Sequence, residues 1–228
     1  MRSQRPILVR AVALLVGLLF LAGCSNPLAS DDPPQVAAAD RSGRELTQVE
    51  TRTALPPEAS LPEGWSTATK NLLRPQQGNT RVRQARCRYL ANGIDAGWLD
   101  AATKSYATYV HPAGSTALLG IGIGSHPDEA PVLSRLKSTL RACPVFNIVD
   151  GNGRASRVQA QPLKLAYIAE DTLTYRTVLV SRGEVMVWDV VRVRVGHNIV
   201  QGDLVTAKGR PNTEPLVTAV KNALLNLS

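Results

Sequence analysis

The chain has 228 residues, 44% of them hydrophobic and 19% charged, with a formal net charge of +8. Once a leader and a linker are set aside, that length suits one domain with its own core. The basic charges are scattered, and a chain exported in the way its N-terminus indicates is excluded from nucleic-acid partnership.

Arg2, Arg5 and Arg10 form a positive n-region, and Ala11 to Ala22 follows as an unbroken apolar stretch. It is too short to span a bilayer as a helix, which takes about 20 residues, so residues 1–23 read as a secretory signal. Leu21-Ala22-Gly23-Cys24 resembles a bacterial lipobox, in which the cysteine thiol receives a diacylglycerol and becomes the first residue of the mature protein. Two acyl chains, of which palmitate is a typical one, anchor a protein stably where one does not. A signal cleaved elsewhere would leave a soluble secreted protein, but a cysteine is an odd residue at such a cleavage point. The expected location is the cell membrane, lipid-anchored on the extracytoplasmic side.

From Cys24 to Ser60 the chain passes Pro27, Pro33, Pro34, Pro56 and Pro57 with no apolar periodicity. That composition predicts a disordered membrane tether over 24–60, with an end-to-end distance of roughly 30 Å. Charge divides at the same place. Cys24 to Pro62 has six acids against three arginines, whereas Glu63 to Ser228 has twenty bases against twelve acids. The folded part is therefore the basic part. It suits an anionic envelope ligand or lipid headgroup, or simply a solvated surface, and the scatter of the charges favours the latter. The densest run, Arg81, Arg83, Arg86 and Arg88, forms no single stripe when placed on a helix.

With Cys24 committed to lipid, Cys87 and Cys143 remain. A pair in an exported domain is most simply a disulfide, worth roughly 4 kcal/mol in chain-entropy terms for a loop of this size. Two buried free thiols are the alternative.

Residues 61–228 form the predicted domain. Leu61-Pro-Glu-Gly-Trp65 leads into an expected helical region that includes Cys87 to Ala91 and ends near Asn92-Gly93. Ser105 to Val110 and Thr116 to Gly124 read as strands. In the second, Gly120, Gly122 and Gly124 share one face and Ile121 and Ile123 the other, so a smooth surface permits close approach of a helix, a backbone or a ligand, of which close helix packing is the expected one. The spacing is not that of a dinucleotide-binding loop. Ser125 is placed to cap a following helix with Pro127, Asp128 and Glu129 in its first turn and Leu133, Leu136 and Leu140 as its stripe. That helix stops at Cys143-Pro144.

The C-terminal half predicts an antiparallel meander: Val145 to Asp150, Arg154 to Gln161, Leu173 to Ser181, Glu184 to Val195 and Asn198 to Thr206. A two-residue turn at Arg182-Gly183 sets Val180 opposite Val185, Val178 opposite Val187 and Arg176 opposite Asp189. Arg176 and Asp189 then form either a structural ion pair or part of a ligand cleft. Tyr175, Leu179, Met186 and Trp188 occupy the other face. Since both faces are apolar, a covering layer is expected on each side. Thr213-Glu214-Pro215 opens a closing helix with Leu216, Val220, Leu224 and Leu227 as its stripe.

Catalytic constellations are sparse. His111, His126 and His197 sit singly and read as exposed loop residues without metal-ligand spacing. Asp95 and Asp100 flank Trp98 without a defined glycosidase geometry, there is no GxSxG elbow, and no cofactor motif stands out. The expected class is a binding module, not an enzyme.

Leu61-Pro-Glu-Gly-Trp65, Cys87 followed by Tyr89, the Ala101 to Tyr109 segment, Leu140-Arg-Ala-Cys143-Pro-Val-Phe146, and valine-rich strands with Trp188 and Arg192-Val-Arg-Val-Gly196 together resemble the PknH-like extracellular sensor domains. Those are modules of actinobacterial receptor kinases that also occur in free-standing lipoproteins. The resemblance implies an α+β fold, a twisted antiparallel sheet packed with helices and stapled by disulfides, with a cleft for an extracellular ligand. One bridge is available here where the resemblance implies two. A lipid anchor carries no conformational message across a membrane, so ligand capture or presentation is the role that fits. Arg176, Asp189, Trp188 and Arg192 are the candidate cleft residues. A lipid or glycolipid carrier is the alternative, and it requires a large apolar cavity.

Overall fold

The computed structural model describes residues 43–70, 73, 81–91, 101–111, 117–127, 132–150, 153–207 and 211–228. The expected leader, Cys24, the expected tether as far as residue 42, Asn92-Gly93, Asp95, Trp98, Asp100, and Asp128 with Glu129 lie outside the described residues.

Nine strands build a single antiparallel sheet: β1 (Ser66–Thr67), β2 (Arg81–Val82), β3 (Thr103–His111), β4 (Ala117–Ser125), β5 (Val145–Val149), β6 (Ala155–Pro162), β7 (Thr172–Ser181), β8 (Glu184–Val195) and β9 (Asn198–Ala207). Their spatial order is β1-β3-β4-β9-β8-β7-β6-β5-β2. Four α-helices are present among the described residues: α1 (Gln48–Thr53), α2 (Arg88–Ala91), α3 (Val132–Ala142) and α4 (Glu214–Leu225). The fold is α+β. The β3–β4 hairpin comes first, the chain crosses through α3 to β5 near the far edge, and the meander β5 to β9 returns to seal against β4.

The meander follows from period-two alternation and tight turns. At Arg182-Gly183 both φ angles are positive, 51° and 80°, the geometry that suits a two-residue hairpin between right-twisted strands. Its register pairs Val180 with Val185, Val178 with Val187 and Arg176 with Asp189, as the turn predicts.

Each face of the sheet carries its own core. On one, Ile121, Ile123, Val191, Val193, Val200 and Leu204 meet Leu216, Ala219, Val220 and Ala223 of α4. On the other, Phe146, Val158, Leu173, Tyr175, Val190 and Ile199 meet Leu90 of α2 and Val132, Leu133, Leu136 and Leu140 of α3. A fully buried Leu, Ile, Val or Phe contributes about 1.5–3 kcal/mol, so both layers are needed to shield the sheet. A disulfide joins Cys87, just before α2, to Cys143, just after α3. It ties the covering helices of the second face to one another.

Four sequence expectations are corrected. Residues 43–60 are not tether. Leu46 and Ala54 are buried in the α4-side core, and α1 has a full capping box between Thr47 and Glu50. The segment is stitched to the sheet by Leu46 N–H donating to Ser125 Oγ at 2.8 Å, Thr103 Oγ1 to Leu46 O at 2.6 Å, and Gln48 Nε2 to Lys104 O at 2.8 Å. A six-residue helix is too short to print a helical period on the sequence. Ser125, for its part, ends β4 and spends its hydroxyl on Leu46 instead of capping a helix.

The long helical region expected before Asn92 reduces to a 3-10 turn at Ala85–Cys87 and the single turn of α2, with Arg81 in strand β2. Arg81, Arg83, Arg86 and Arg88 are all exposed. The smooth face of β4 does not receive a helix at Gly120. A Cβ there would lie 1.8 Å from the Tyr106 hydroxyl, so the missing side chain makes room for that ring. The close helix approach occurs one strand over, at Gly202, where a Cβ would come within 2.5 Å of Val220 Cγ2 and 2.6 Å of Leu216 Cδ1.

Because both of those contact atoms belong to wholly buried side chains, Gly202→Ala is expected to overpack the α4 layer and cost about 1–3 kcal/mol in urea unfolding. A neutral or stabilising result would refute the tight α4 contact. Glu50 supplies a pH test. Arg44 first, and then the Thr47 backbone and hydroxyl, hold its carboxyl at about 2, below the ordinary 4.5. A depressed folded pKa lends stability that is complete above pH 4.5 and is lost as pH falls toward 2. Across that window the melting temperature of the native protein should fall more steeply than that of Glu50→Gln; parallel curves would disprove the link.

Candidate functional site

The alternation of β7, β8 and β9 decides which side chains share a face. Tyr175 lies opposite Val190, and Val190 opposite Asp203, so these three form a row across the sheet under α2 and α3. Trp188 is two residues along β8 and shares that face. Together with Phe146 and Ile148 of β5, Val158 of β6, Thr177 and Leu179 of β7, and Leu90 of α2, they line a partly open cavity of about 80 Å³. Its walls are apolar, and Asp203, Tyr175 and Trp188 bring polar atoms to it.

Asp203 is wholly buried. Its Oδ1 accepts from Nη1 and Nη2 of Arg192, each at 3.2 Å. Arg192 is equally buried, and its Nη1 also donates to the carbonyls of Val191 at 2.9 Å and Gly202 at 3.2 Å. Burial pushes the Asp203 carboxyl above its ordinary range, against the pull of the Arg192 charge. Trp188, beside the carboxyl, favours its ionised form as well. Asp203 Oδ2, Tyr175 Oη and Trp188 Nε1 are all buried atoms. Burial also raises Tyr175 to about 12, so its phenol stays protonated.

The four candidate cleft residues do not converge. Trp188 lines the cavity and Arg192 braces its floor through Asp203. Arg176 and Asp189 stand on the opposite face, since they alternate with Tyr175 and Trp188 along the same strands. There Arg176 Nε and Nη2 engage both oxygens of Asp189 at 2.5 and 2.7 Å. Asp189 is fully buried and its hydrogen bond holds the Arg176 pKa up.

Asp203 was missed in the sequence. A signal for it existed: extending the Gly196-His197 turn register places the one acid of β9 beside Arg192 on the Trp188 face.

The extracellular domain of PknH from Mycobacterium tuberculosis is similar in structure, with a TM-score of 0.50 over 81% of this chain and 96% of that one, at 8% sequence identity. At that identity the likeness concerns the fold. No protein-family model and no curated protein matches the sequence.

The histidines are not exposed loop residues. His111 belongs to β3 and meets Trp65 edge-on at 5.4 Å, His126 is buried, and His197 Nδ1 lies 3.0 Å from the His126 carbonyl. Among the described residues no three His, Cys, Asp or Glu side chains cluster as a metal site, and no helix is long and apolar enough to cross a membrane.

The Arg176–Asp189 pair makes an asymmetric prediction. Arg176→Ala strands a buried carboxylate and should cost about 3–5 kcal/mol in urea unfolding. Asp189→Ala should cost less, because the Arg176 side chain retains 19% exposure and can turn to solvent. The reverse order of losses would show that Asp189 is not the buried partner.

Proposed function

We propose that this chain is an extracytoplasmic, sensor-like binding module, lipid-anchored through Cys24, that captures a small envelope ligand in the cavity lined by α2 and strands β5 to β9. The observation that carries the reading is the apolar cavity, with Asp203, Tyr175 and Trp188 among its lining residues, in a domain whose fold is similar to the extracellular domain of PknH. Pockets of this composition, apolar walls with a few placed polar groups, are the usual form of small-molecule sites. The disulfide supports an oxidising compartment, and the lipobox-like Leu21 to Cys24 supports the anchor. Binding, not catalysis, is the role we assign.

This cavity is not the large apolar one that the carrier alternative requires. Ordinary small-molecule pockets run to about 300–1,000 Å³ and an acyl chain needs a comparable space, whereas this cavity measures about 80 Å³. It fits the end of a ligand, not a lipid.

Native mass spectrometry of the full protein from its own host tests both parts. The mature N-terminus should begin at Cys24 with a diacylglyceryl mass, and Cys24→Ala should move the protein out of the membrane fraction. A small-molecule adduct should accompany the native domain and disappear in Leu179→Trp, which fills the cavity. An intact leader would refute the anchor. An adduct that survives Leu179→Trp, or a mixture of long-chain species, would refute capture in this cavity.

A further inference from the structure

We propose that the open end of the α4-side sheet face is a docking surface for a second protein that presents carboxylates next to apolar side chains, received by Arg81, Arg83 and Arg157 with Val180 and Val185. This surface lies on the other side of the sheet from the cavity and does not depend on it.

Strand geometry assembles the arginines. Arg81 is in β2, paired with Val149, and the Arg83 N–H continues that ladder by donating to Asn147 O at 3.1 Å. Residues two apart on a strand share a face, so the two side chains point the same way. Asn147 pairs with Arg157, Arg157 with Val180 and Val180 with Val185. Arg83, Arg157, Val180 and Val185 therefore stand in one row across the sheet, with Arg81 beside its charged end.

The cover stops short of this row. Among the described residues, the core beneath α4 contains no member of β5 or β6. All five side chains of the surface are exposed, Val180 by 39% and Val185 by 37%. Among the described residues none of the three arginines is in an ion pair. The acids nearby are turned elsewhere. Asp189 is held by Arg176, Asp150 Oδ1 accepts from the Arg154 N–H at 2.8 Å, and Glu184 alternates with Val185 onto the other face. Arg83 and Arg157, two strands apart, stand about 10 Å from each other, and an anionic partner relieves their mutual repulsion.

The valines decide the class of partner. A guanidinium binds a carboxylate through two parallel hydrogen bonds, and arginine is favoured at protein interfaces. A phosphate or an anionic glycan would meet the arginines and leave Val180 and Val185 in water, whereas a protein covers both. Position excludes the alternatives. The segment 43–60 joins the sheet at the Gly196-His197 end, where Asn198 Nδ2 donates to the Arg44 carbonyl at 3.0 Å. Val185 lies at the other end of β8 from Val195, about 33 Å along the strand, which carries the arginines away from a membrane anchored through Cys24. Asp40, three residues before Gly43, reaches only about 10 Å, and Asp31 and Asp32 would need the intervening chain almost fully extended over the α4 layer, at a large entropic cost.

The test titrates detergent-solubilised full-length protein into a fluorescein-labelled peptide, Glu-Ser-Glu-Ser-Val-Ser-Val, whose alternate side chains follow the order of the row, and reads fluorescence anisotropy. Saturable binding is expected, at least about tenfold weaker in Arg83→Glu/Arg157→Glu, where two attractions become repulsions. Val180→Thr/Val185→Thr, which keeps the branched shape, should weaken it by about threefold or more, as should threonine in place of the peptide's valines. Because these positions are exposed, the urea midpoint of each variant should stay close to that of the native protein. Raising salt from about 0.05 to about 0.5 M should weaken native binding severalfold without any substitution. Binding that survives the arginine reversal or ignores salt overturns the surface, and so does an anisotropy that never moves. Equal binding of the valine-free peptide, or full displacement by an equal concentration of inorganic phosphate, overturns the protein partner and leaves a simple anion patch.

Discussion

Successive residues of a strand point to opposite faces, and in this sheet both faces are covered. Along β8, Val191 and Val193 face α4 while Trp188, Val190 and Arg192 face α2 and α3. That one geometric constraint makes the protein three layers deep, separates Arg176–Asp189 from Trp188, and gathers Tyr175 and Asp203 into the same row. A shift of register by one residue would exchange the two cores and bring the Arg176 carboxylate partner under α3.

Polar burial in the second layer has a different logic from the apolar packing around it. Arg192 takes two backbone carbonyls as well as Asp203, so its charge is both paired and hydrogen-bonded. Such buried pairs add little net stability over apolar residues of the same size. The disulfide constrains the same layer from above. By joining Cys87 to Cys143 it ties α2 to the end of α3, and so limits how far the cavity roof can open.

Much of this was legible before any tertiary contact was known. The meander, its turn at Arg182-Gly183 and the pairing of Arg176 with Asp189 followed from alternation and turn chemistry alone. The stripe of α4 and the union of Cys87 with Cys143 were equally plain. The candidate site was half legible: Trp188 and Arg192 were singled out, while Asp203, which pairs with Arg192, was not. The N-terminal strap at 43–60 was unreadable because its anchors are single hydrogen bonds and isolated apolar residues. Leu46 finds Ser125 across 79 positions of sequence, and no local pattern announces such a partner.

Periodicity and turns depend on neighbours along the chain, so the amino-acid sequence alone determined the strands, their hairpin registers and the existence of a layer on each face. Which segments form those layers depends on neighbours in space. Only the tertiary structure decided that Tyr106, not a helix, lies on Gly120, that α4 presses on Gly202, and that Tyr175, Trp188 and Asp203 from three different strands line one cavity. Contacts of that kind balance the burial and loop closure of the whole domain, and no window of sequence contains those terms.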